Sequence, residues 1–358
     1  MMEPLELTPR QGLLLRLIIK EHVETAGTVA SRTLVENYNL DFSPATVRSE
    51  MSHLEELGYL AQPHTSAGRV PTEAGFRYFV ERLMEEHALP VTEQRMIAHQ
   101  FYQARDHIEA WMPLAAAVLA RSARGAAVVT APRATRAIYK HLELIATHGR
   151  AVLLVLVLQD GTVEQQMLAL NESLNQTALR EAADSLNQLC TGLDAEQIRA
   201  HIADLAPLEA SVAELIAARL ENVLGNASEE IYHHGLSDLL QAPEFAEGDT
   251  NSTGVVRVLE ERSLLQTVLA DTLTPAVGVG SVRVLIGGEN RWDELRACSL
   301  VLARYGVADY ATGALGVVGP MRMAYGRTIS AVRFVANMLG ELVYEMYQPG
   351  IRDSIPDA

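Results

Sequence analysis

The sequence predicts an α+β protein built from several domains, and three observations support this. The chain has 358 residues, which is too long for one ordinary hydrophobic core. Residues 43–60 contain a helix start, a helix with two distinct faces and a helix stop. Residues 137–170 contain three strand-like apolar runs with short turns between them, and helical periodicity returns after residue 172. Strands and helices in separate runs are typical of an α+β fold.

Two helices are predicted before residue 42. Thr8 and Pro9 form a typical helix start. The helix that follows is expected to turn its apolar side chains toward a core: Leu14, Leu17, Ile18 and Val23. Ser31 is the expected cap of a short second helix, whose apolar side chains are Leu34, Val35 and Tyr38. Residues 39–42 form the turn into the next helix.

The third helix has two faces of different chemistry. Ser43 can cap it, Pro44 fits its first position, and Gly58 fits a left-handed residue just past its end. One face is an apolar stripe expected in the core: Val47, Met51, Leu54 and Leu57. The other face carries small or polar groups and one guanidinium: Ala45, Thr46, Arg48, Ser49 and Ser52. Such a helix tip suits a DNA major groove, where arginine makes a bidentate contact to guanine.

A hairpin and a fourth helix follow the third helix. Residues 59–62 and 69–72 predict two short strands, joined by a tip of turn-forming residues at 63–68. Thr72 is the expected cap of a closing helix. Helix, short helix, turn, helix and hairpin is the order of a winged helix-turn-helix domain, in which the third helix reads DNA. We assign this domain to residues 1–87.

The candidate DNA-binding residues lie on the second helix, the third helix and the hairpin. They are Arg32, Ser43, Ala45, Thr46, Arg48, Ser49, Ser52, His64, Thr65, Ser66 and Arg69. In an isolated helix Arg48 would simply pair with Glu55 or Ser52. His64 and Ser66 have an equal claim to a purely structural role in the hairpin turn. The capped helix start and the hairpin together favour base and phosphate contacts.

The net charge argues against strong DNA binding by a single copy. The whole chain carries −16, and residues 1–87 hold eight Lys or Arg against thirteen Asp or Glu, a net charge of −5. Nonspecific affinity for DNA comes from neutralising phosphates, so few cations mean weak binding. The carboxylates Glu50, Glu55 and Glu56 lie beyond the helix tip, which leaves the tip cationic. Because a single domain offers so few cationic contacts to DNA, the sequence favours a dimer that binds two half-sites.

The remaining chain predicts a connecting helical segment, a meander, helices, strands and a last helix. The connecting segment spans 92–123 with a break or kink at Pro113, and the meander has strands at 137–147, 151–158 and 163–170. Further helices are expected within 172–223, around Leu259–Leu269, at 292–305 and at 328–347. A loop is expected at 241–254. Strands are expected at 281–286 and, as a glycine-rich pair, at 310–323. The helical leucines fit either a dimer seam or a monomer core; the charge argument favours the dimer.

Residues 7–84 resemble the N-terminal domain of the heat-inducible transcription repressor HrcA family. The resemblance is carried by residues 31–34, 43–48, 54–60 and the long, unusual string at 62–72. It implies a discontinuous GAF-like domain at 88–194 and 274–347. An inserted helical dimerisation domain is then expected at 195–273, and a C-terminal tail at 348–358.

The resemblance also implies a function. It implies a homodimeric repressor that binds double-stranded DNA at an inverted-repeat operator upstream of chaperonin and chaperone operons. The GroEL chaperonin is implied as the partner that keeps the repressor active, and heat stress as the condition that inactivates it. The alternative is a metabolite-sensing winged-helix regulator with a ligand pocket in the GAF-like domain.

No residue pattern predicts catalysis, a cofactor or a metal site. Cys190 and Cys298 are far apart and fit no metal or disulfide spacing, which favours a reducing compartment. The histidines lack partners at ligand spacing, and the glycines at 278–288 are not followed by a Gly-Lys-Ser/Thr sequence. The apolar run at 151–158 is far shorter than the roughly twenty residues of a membrane helix. We expect a soluble, cytoplasmic protein that is not an enzyme and does not enter a membrane.

Overall fold

The computed structural model describes residues 6–64, 68–85, 88–105, 107–170, 172–226, 230–245, 250–274, 277–308 and 310–352. The protein is a mixed α and β protein of several domains, as predicted. The chain divides into two compact units. The first spans Met1–Ala131, Ile231–Tyr305 and Gly313–Leu339, and the second spans Pro132–Glu230, Gly306–Thr312 and Gly340–Ala358.

The N-terminal segment of the first unit contains the predicted elements in the predicted order. They are α1 (Pro9–Thr25), α2 (Ser31–Tyr38), α3 (Pro44–Glu56), β1 (Leu60–Ala61), β2 (Val70–Pro71) and α4 (Glu73–Tyr78), which continues as a π-helical turn over Phe79–Leu83. β1 and β2 pair antiparallel, and Val29 forms an isolated bridge with Arg69. The centre of the segment consists of fully buried side chains: Leu14, Ile18, Leu34, Val47, Met51, Leu54 and Phe76.

Two details of this segment differ from the prediction. Ser31 is the first helical residue of α2 rather than its cap, because Ala30 occupies the N-cap position and makes no side-chain hydrogen bond. Leu57 is 37% exposed rather than in the core. The reason is that α3 ends at Glu56, and Gly58, at φ +81°, turns the chain away. The left-handed conformation of Gly58 is as predicted.

The connecting helices separate at a different place from the predicted one. α5 (Val91–Gln103) and α6 (Ile108–Ala123) are separated by residues 104–107, whereas the sequence predicted a break or kink at Pro113. Pro113 lies inside α6. Because a proline removes a single hydrogen bond from the helical ladder, a well-packed helix can continue through it. β3 (Ala126–Thr130) ends this part of the first unit.

The second unit contains the predicted meander and the helices that cover it. Its elements are β4 (Arg133–Ala134), β5 (Tyr139–Ala146), β6 (Ala151–Leu158), β7 (Val163–Ala169), α7 (Gln176–Cys190), α8 (Ala195–His201) and α9 (Pro207–Asn226). The strands pair antiparallel in the order β5-β6-β7. The leucine stripes of α7 and α9 are buried against one face of this sheet, including Leu179, Leu186, Ile216 and Leu220. These leucines therefore form a core within one chain, not the helical dimer seam that the charge argument favoured.

The chain returns to the first unit at Ile231, and most of the residues that follow belong to that unit and to its larger antiparallel sheet. The elements are β8 (Ile231–His234), α10 (Leu236–Leu240), α11 (Thr250–Glu260), α12 (Arg262–Thr272), β9 (Val282–Ile286), β10 (Cys298–Val307), β11 (Ala311–Pro320) and α13 (Tyr325–Arg352). The strand order is β8-β3-β11-β10-β9, and the first residues of β11 also pair with β4. Leu259, Leu265 and Leu269 of α11 and α12 pack on this sheet.

Several predictions in this region were wrong. Residues 292–305 form a short 3₁₀ turn and β10 rather than a helix, and the expected strand pair at 310–323 is the single strand β11. Residues 298–303 are buried on both faces, and such a strand shows a continuous apolar run instead of an alternation. The last five residues of the predicted loop at 241–254 belong to α11, which begins at Thr250.

No helix in the described ranges is both long and apolar enough to cross a bilayer.

Candidate nucleic-acid interface

The first turn of α3 is capped by its own side chains. The Ser43 hydroxyl accepts a hydrogen bond from the Thr46 N–H at 3.1 Å, and the hydroxyl oxygens of Ser43 and Thr46 lie 2.9 Å apart. Pro44 occupies the first helical position, and the first turn carries no acidic residue. The amino end of a helix favours negative charge because its N–H groups and dipole point outward there. This end of α3 is therefore suited to approach phosphate.

Buried apolar contacts determine which face of α3 is presented to solvent. Val47, Met51 and Leu54 are at most 1% exposed, and α3 packs against α1 and α2. The helical period then places Ala45, Arg48 and Ser49 on the opposite, exposed face, as predicted. Ser52 is half-buried beside them, at the side that faces the hairpin.

Arg48 is exposed, and its guanidinium has no ion-pair or hydrogen-bond partner among the residues that the structure describes. The partners that the sequence suggested for it, Glu55 and Ser52, are instead bound by Arg69. Nε of Arg69 donates to Glu55 Oε2 at 2.8 Å, and Nη2 donates to Ser52 Oγ at 2.8 Å. The Arg69 side chain is only 12% exposed. Arg69 therefore fastens the hairpin to α3 in the free protein, and its predicted phosphate contact stays a prediction.

The other predicted contacts differ in their surroundings. Arg32 is 83% exposed and lies 3.5 Å from Glu36, a surface pair that holds it weakly. His64 is exposed at the hairpin. Thr65 and Ser66 lie outside the described residues.

A charge pair that the sequence analysis missed lies at the edge of this face. Arg10 Nη1 is 3.4 Å from Glu50 Oε1, and the Gln11 side chain donates to the other oxygen of Glu50 at 3.2 Å. The Arg10 guanidinium also lies over the Phe42 ring, 4.8 Å from its centroid. The carboxylate of Glu50, on the same helix as Arg48, is thus already paired with Arg10 and Gln11. A partner forty residues away leaves no signal in local periodicity.

The described ranges contain no group of three or more His, Cys, Asp or Glu arranged to hold a metal ion. His141 lies beside Glu143 at 3.2 Å on the exposed face of β5, and His233 and His234 are exposed on β8. Cys190 and Cys298 are both buried free thiols. Burial, with a smaller contribution from Glu244, raises the pKa of Cys298 to about 12, so this thiol is unreactive at neutral pH.

Comparison with known proteins covers nearly the whole chain. A family model described as the HrcA protein C terminal domain matches residues 109–329. The heat-inducible transcription repressor HrcA of Roseiflexus castenholzii is 45% identical over 350 residues, which cover 96% of each chain. The chain belongs to the HrcA family. The HrcA of Herpetosiphon aurantiacus is 44% identical over 353 residues, which cover 96% of this chain and 97% of that protein.

These full-length HrcA relatives extend the membership to α1–α4, which the family model does not reach. A crystal structure described as a hypothetical protein superposes with a TM-score of 0.58 at 22% identity, over 95% of this chain and 100% of that chain. That likeness concerns the fold alone.

Proposed function

We propose that this HrcA-family chain represses heat-shock operons by binding an inverted-repeat operator in double-stranded DNA as a homodimer, and that heat stress ends the repression. Relatives along the whole chain are named heat-inducible transcription repressors, which supports the regulatory role. The observation that carries the DNA-binding part is the exposed guanidinium of Arg48 at the tip of a capped helix, which has no partner within the described residues.

The proposed DNA-binding domain is a winged helix-turn-helix made of α1–α4 and the β1–β2 hairpin. In this proposal α3 is the recognition helix, and Arg48 contacts a base edge in the major groove. Ala45 and Ser49 lie beside Arg48 and add neither bulk nor negative charge to the exposed face. Arg32 and the capped first turn of α3 contact phosphates. Arg69 acts indirectly, because it holds the wing in place through Ser52 and Glu55.

The proposed dimer surface is the outer face of the β5–β7 meander in the second unit. The inner face is buried against α7 and α9, so an isolated antiparallel sheet should carry polar side chains on the outer face. The outer residues of β6 are apolar instead: Leu153, Val155 and Val157. Leu153 pairs with Ile145 on one side and Met167 on the other, and Val157 pairs with Val163.

The flanking apolar side chains are open to solvent in the single chain. Ile145 is 42% exposed, Val163 53% and Met167 55%. Val155 lies between Glu143 and Gln165, but an exposed group of apolar side chains of this size is typical of a protein interface. A second copy is the proposed occupant because a −5 DNA-binding domain needs two half-sites for affinity. We therefore name this surface, residues 145, 153, 155, 157, 163 and 167, the meander face.

The two compact units also support a revised position for the inserted domain. The predicted insert at 195–273 places α8 and α9 together with α11 and α12, whereas the structure places α8 and α9 with the meander. We propose that the inserted dimerisation domain is residues 132–230. The β3 and β8–β11 sheet then belongs to the GAF-like domain.

The first test is fluorescence anisotropy with the full chain, a labelled duplex carrying the inverted repeat and a scrambled duplex. The wild type is expected to bind the repeat selectively. Arg48→Ala should weaken that binding by about 1–3 kcal/mol and lose discrimination at one base position. The matched control is Arg82→Ala, which removes an exposed arginine on the π-helical turn, away from α3. Equal wild-type binding to both duplexes, with the dimer intact, would refute the operator assignment.

The chaperonin connection remains a proposal from family resemblance. GroEL is proposed to keep the repressor folded, and unfolded client proteins are proposed to compete for it on heating. Operator binding measured at rising temperature, with GroEL and with or without an unfolded client, tests this. The client should lower the fraction of repressor that binds DNA; an unchanged fraction would contradict the proposal.

A further inference from the structure

Two arginines connect α1–α4, the proposed DNA-binding segment, to the sheet of β3 and β8–β11, here named the central sheet, within the first unit. Arg77 of α4 donates from Nε to Glu289 Oε1 at 2.6 Å and from Nη2 to Glu289 Oε2. The same Nη2 donates to the Val284 carbonyl of β9 at 2.9 Å. Burial is the largest single influence on Arg77 and disfavours its charged form, but the hydrogen bond to Glu289 together with the nearby negative charges of Glu289 and Glu81 raises its pKa. Glu289 is itself held by the Ile286 N–H at 2.8 Å.

The second arginine, Arg322, lies outside α1–α4 and donates a hydrogen bond to α1. Arg322, in the turn before α13, donates from Nε to Glu244 Oε1 at 2.5 Å and from Nη2 to Oε2 at 3.3 Å. Its Nη1 donates to the carbonyl oxygen of Val23 in α1 at 3.3 Å. The Arg322 side chain is 18% exposed and that of Glu244 is 30% exposed. Bidentate pairs of this kind restrict direction as well as distance, because the guanidinium fork is planar and rigid.

An aromatic contact lies between the two arginine sites. The rings of Phe76 and Tyr325 are 5.8 Å apart, and both are about 1% exposed. The Tyr325 hydroxyl donates to the Met321 carbonyl at 2.6 Å, so the Ser299 hydroxyl at 2.7 Å must be the donor to Tyr325. Tyr325 is thereby fixed to the sheet, and Phe76 has one ring to pack against.

The Glu73 side chain of α4 also lies close against Gly287 and Gly288, but the packing between these segments is incomplete elsewhere. A cavity of about 550 Å³ lies beside the Phe76–Tyr325 contact, lined on one side by Ile19, Val23, Phe79 and Leu83, and on the other by Met323 and Gly326. Interfaces between domains that lack a continuous apolar core permit relative motion. The Arg77–Glu289 pair and the bond from Arg322, itself oriented by Glu244, to the Val23 carbonyl are therefore directional contacts that can hold one orientation.

We propose that Arg77 and Arg322 are positioning residues for DNA recognition: with Glu289 and Glu244 they hold α1–α4 in one orientation on the central sheet and so determine the half-site spacing that the dimer accepts. This rests on the proposed operator binding. If the two DNA-binding segments of a dimer are held in fixed orientations, the dimer binds only half-sites at the matching separation. If the segments are loosely attached, they reach half-sites at several separations, but their effective concentration at each half-site is lower.

The experiment measures affinity for operator duplexes whose half-sites are moved apart in steps up to about half a helical turn, roughly five base pairs. The wild type is expected to lose at least roughly tenfold in affinity across the series. The double variant Arg77→Gln/Arg322→Gln should bind the natural spacing more weakly and vary by less than about threefold across the series. Arg296→Gln is the matched control, because the only ion-pair partner of Arg296 within the described part of the chain is Asp293, at 2.9 Å on the surface. It should keep the wild-type profile.

A second measurement needs no DNA. Cys190 and Cys298 are buried, so a dye on Ala45→Cys labels the exposed face of α3 selectively. Time-resolved anisotropy should show α3 tumbling with the whole particle in the wild-type background and an additional faster component in the double variant. Circular dichroism verifies that the variant remains folded. Arg77→Lys, which keeps the charge but loses the fork, should give an intermediate result.

The outcomes separate the two proposals. An unchanged spacing profile in the double variant, with selective binding by the wild type, would overturn the positioning role and leave the operator assignment intact. Absence of selective wild-type binding would refute the operator assignment. The dye measurement then still decides whether Arg77 and Arg322 hold the segment, and identical decays in both backgrounds would overturn that role.

Discussion

Replacing Arg69 with alanine should reduce the stability of the hairpin without removing a DNA contact. The side chain makes two hydrogen bonds of 2.8 Å, one to the Glu55 carboxylate and one to the Ser52 hydroxyl, and is 12% exposed. A hydrogen bond to a charged partner contributes about 1.5–3 kcal/mol when both groups are buried, and one between neutral groups about 0.5–1.5 kcal/mol. Glu55 is 34% exposed, so water can replace part of the loss.

The backbone at this position is held independently of the side chain. The N–H groups of Val29 and Arg69 each donate to the other residue's carbonyl at 2.9 Å, and these bonds survive truncation. The expected loss for Arg69→Ala is therefore about 1–2 kcal/mol of local opening free energy. Native-state hydrogen exchange of the hairpin amides measures it, since local opening is resolved even in a protein of several domains. Arg48→Ala is the matched comparison and should stay within about 0.5 kcal/mol, because its guanidinium is exposed.

The salt dependence of DNA binding separates the two possible roles of Arg69. If Arg69 only holds the hairpin, Arg69→Ala weakens operator binding while the slope of log affinity against log salt concentration stays unchanged. A phosphate contact would reduce that slope by about 1. A reduced slope together with unchanged hydrogen exchange would refute the positioning role derived from the Glu55 and Ser52 contacts.

Three further predictions concern the meander face, the packing of α4 and the alkaline limit of stability. Leu153→Asp places a carboxylate in the middle of the meander face, and sedimentation velocity should then show a monomer in place of the proposed dimer. Gly75→Ala places a methyl carbon 2.2 Å from the Tyr59 carbonyl oxygen and should cost the N-terminal segment about 1–3 kcal/mol by hydrogen exchange. Burial, followed by a hydrogen bond to Glu21, raises the pKa of Tyr38 from 10.0 to about 12. The folded state thus holds this proton more tightly, so its contribution to stability is complete below pH 10 and is lost as the pH rises through 12. Tyr38→Phe should flatten that loss in denaturant titrations at increasing pH.

Each of these predictions has a control in the same chain. Thr177→Asp adds one charge at an exposed position on α7 and should leave the dimer intact. Gly27→Ala meets no atom closer than 3.6 Å and should be nearly neutral. Tyr102→Phe alters a side chain that is 71% exposed and should not change the alkaline transition. A dimeric Leu153→Asp protein, an unaffected Gly75→Ala protein or an unaltered alkaline loss in Tyr38→Phe would contradict the respective prediction.

The strand β10 is an element whose sequence pattern does not distinguish a strand from a helix. The meander was recognised because its three apolar runs are separated by Gly-containing turns. Residues 298–303 are buried on both faces, so the period of two that distinguishes a strand is absent and a helix was predicted in its place. The division of the chain into units was equally hidden, because the leucines of α7, α9, α11 and α12 show the same helical period in whichever core they lie.

For the candidate interface, the sequence by itself determined the elements of the N-terminal segment and the exposed face of α3. Caps such as Ser43 and Thr72 act through hydrogen bonds to residues three positions away, and the stripe Val47, Met51 and Leu54 orients the helix by its period. Only the tertiary structure decided which arginines are available to a partner. Arg69 is bound to Glu55 and Arg10 to Glu50, while Arg48 remains exposed. Ion pairs form between charges that are close in space. Residues that are 14 or 40 positions apart in the sequence become neighbours only when the chain is folded.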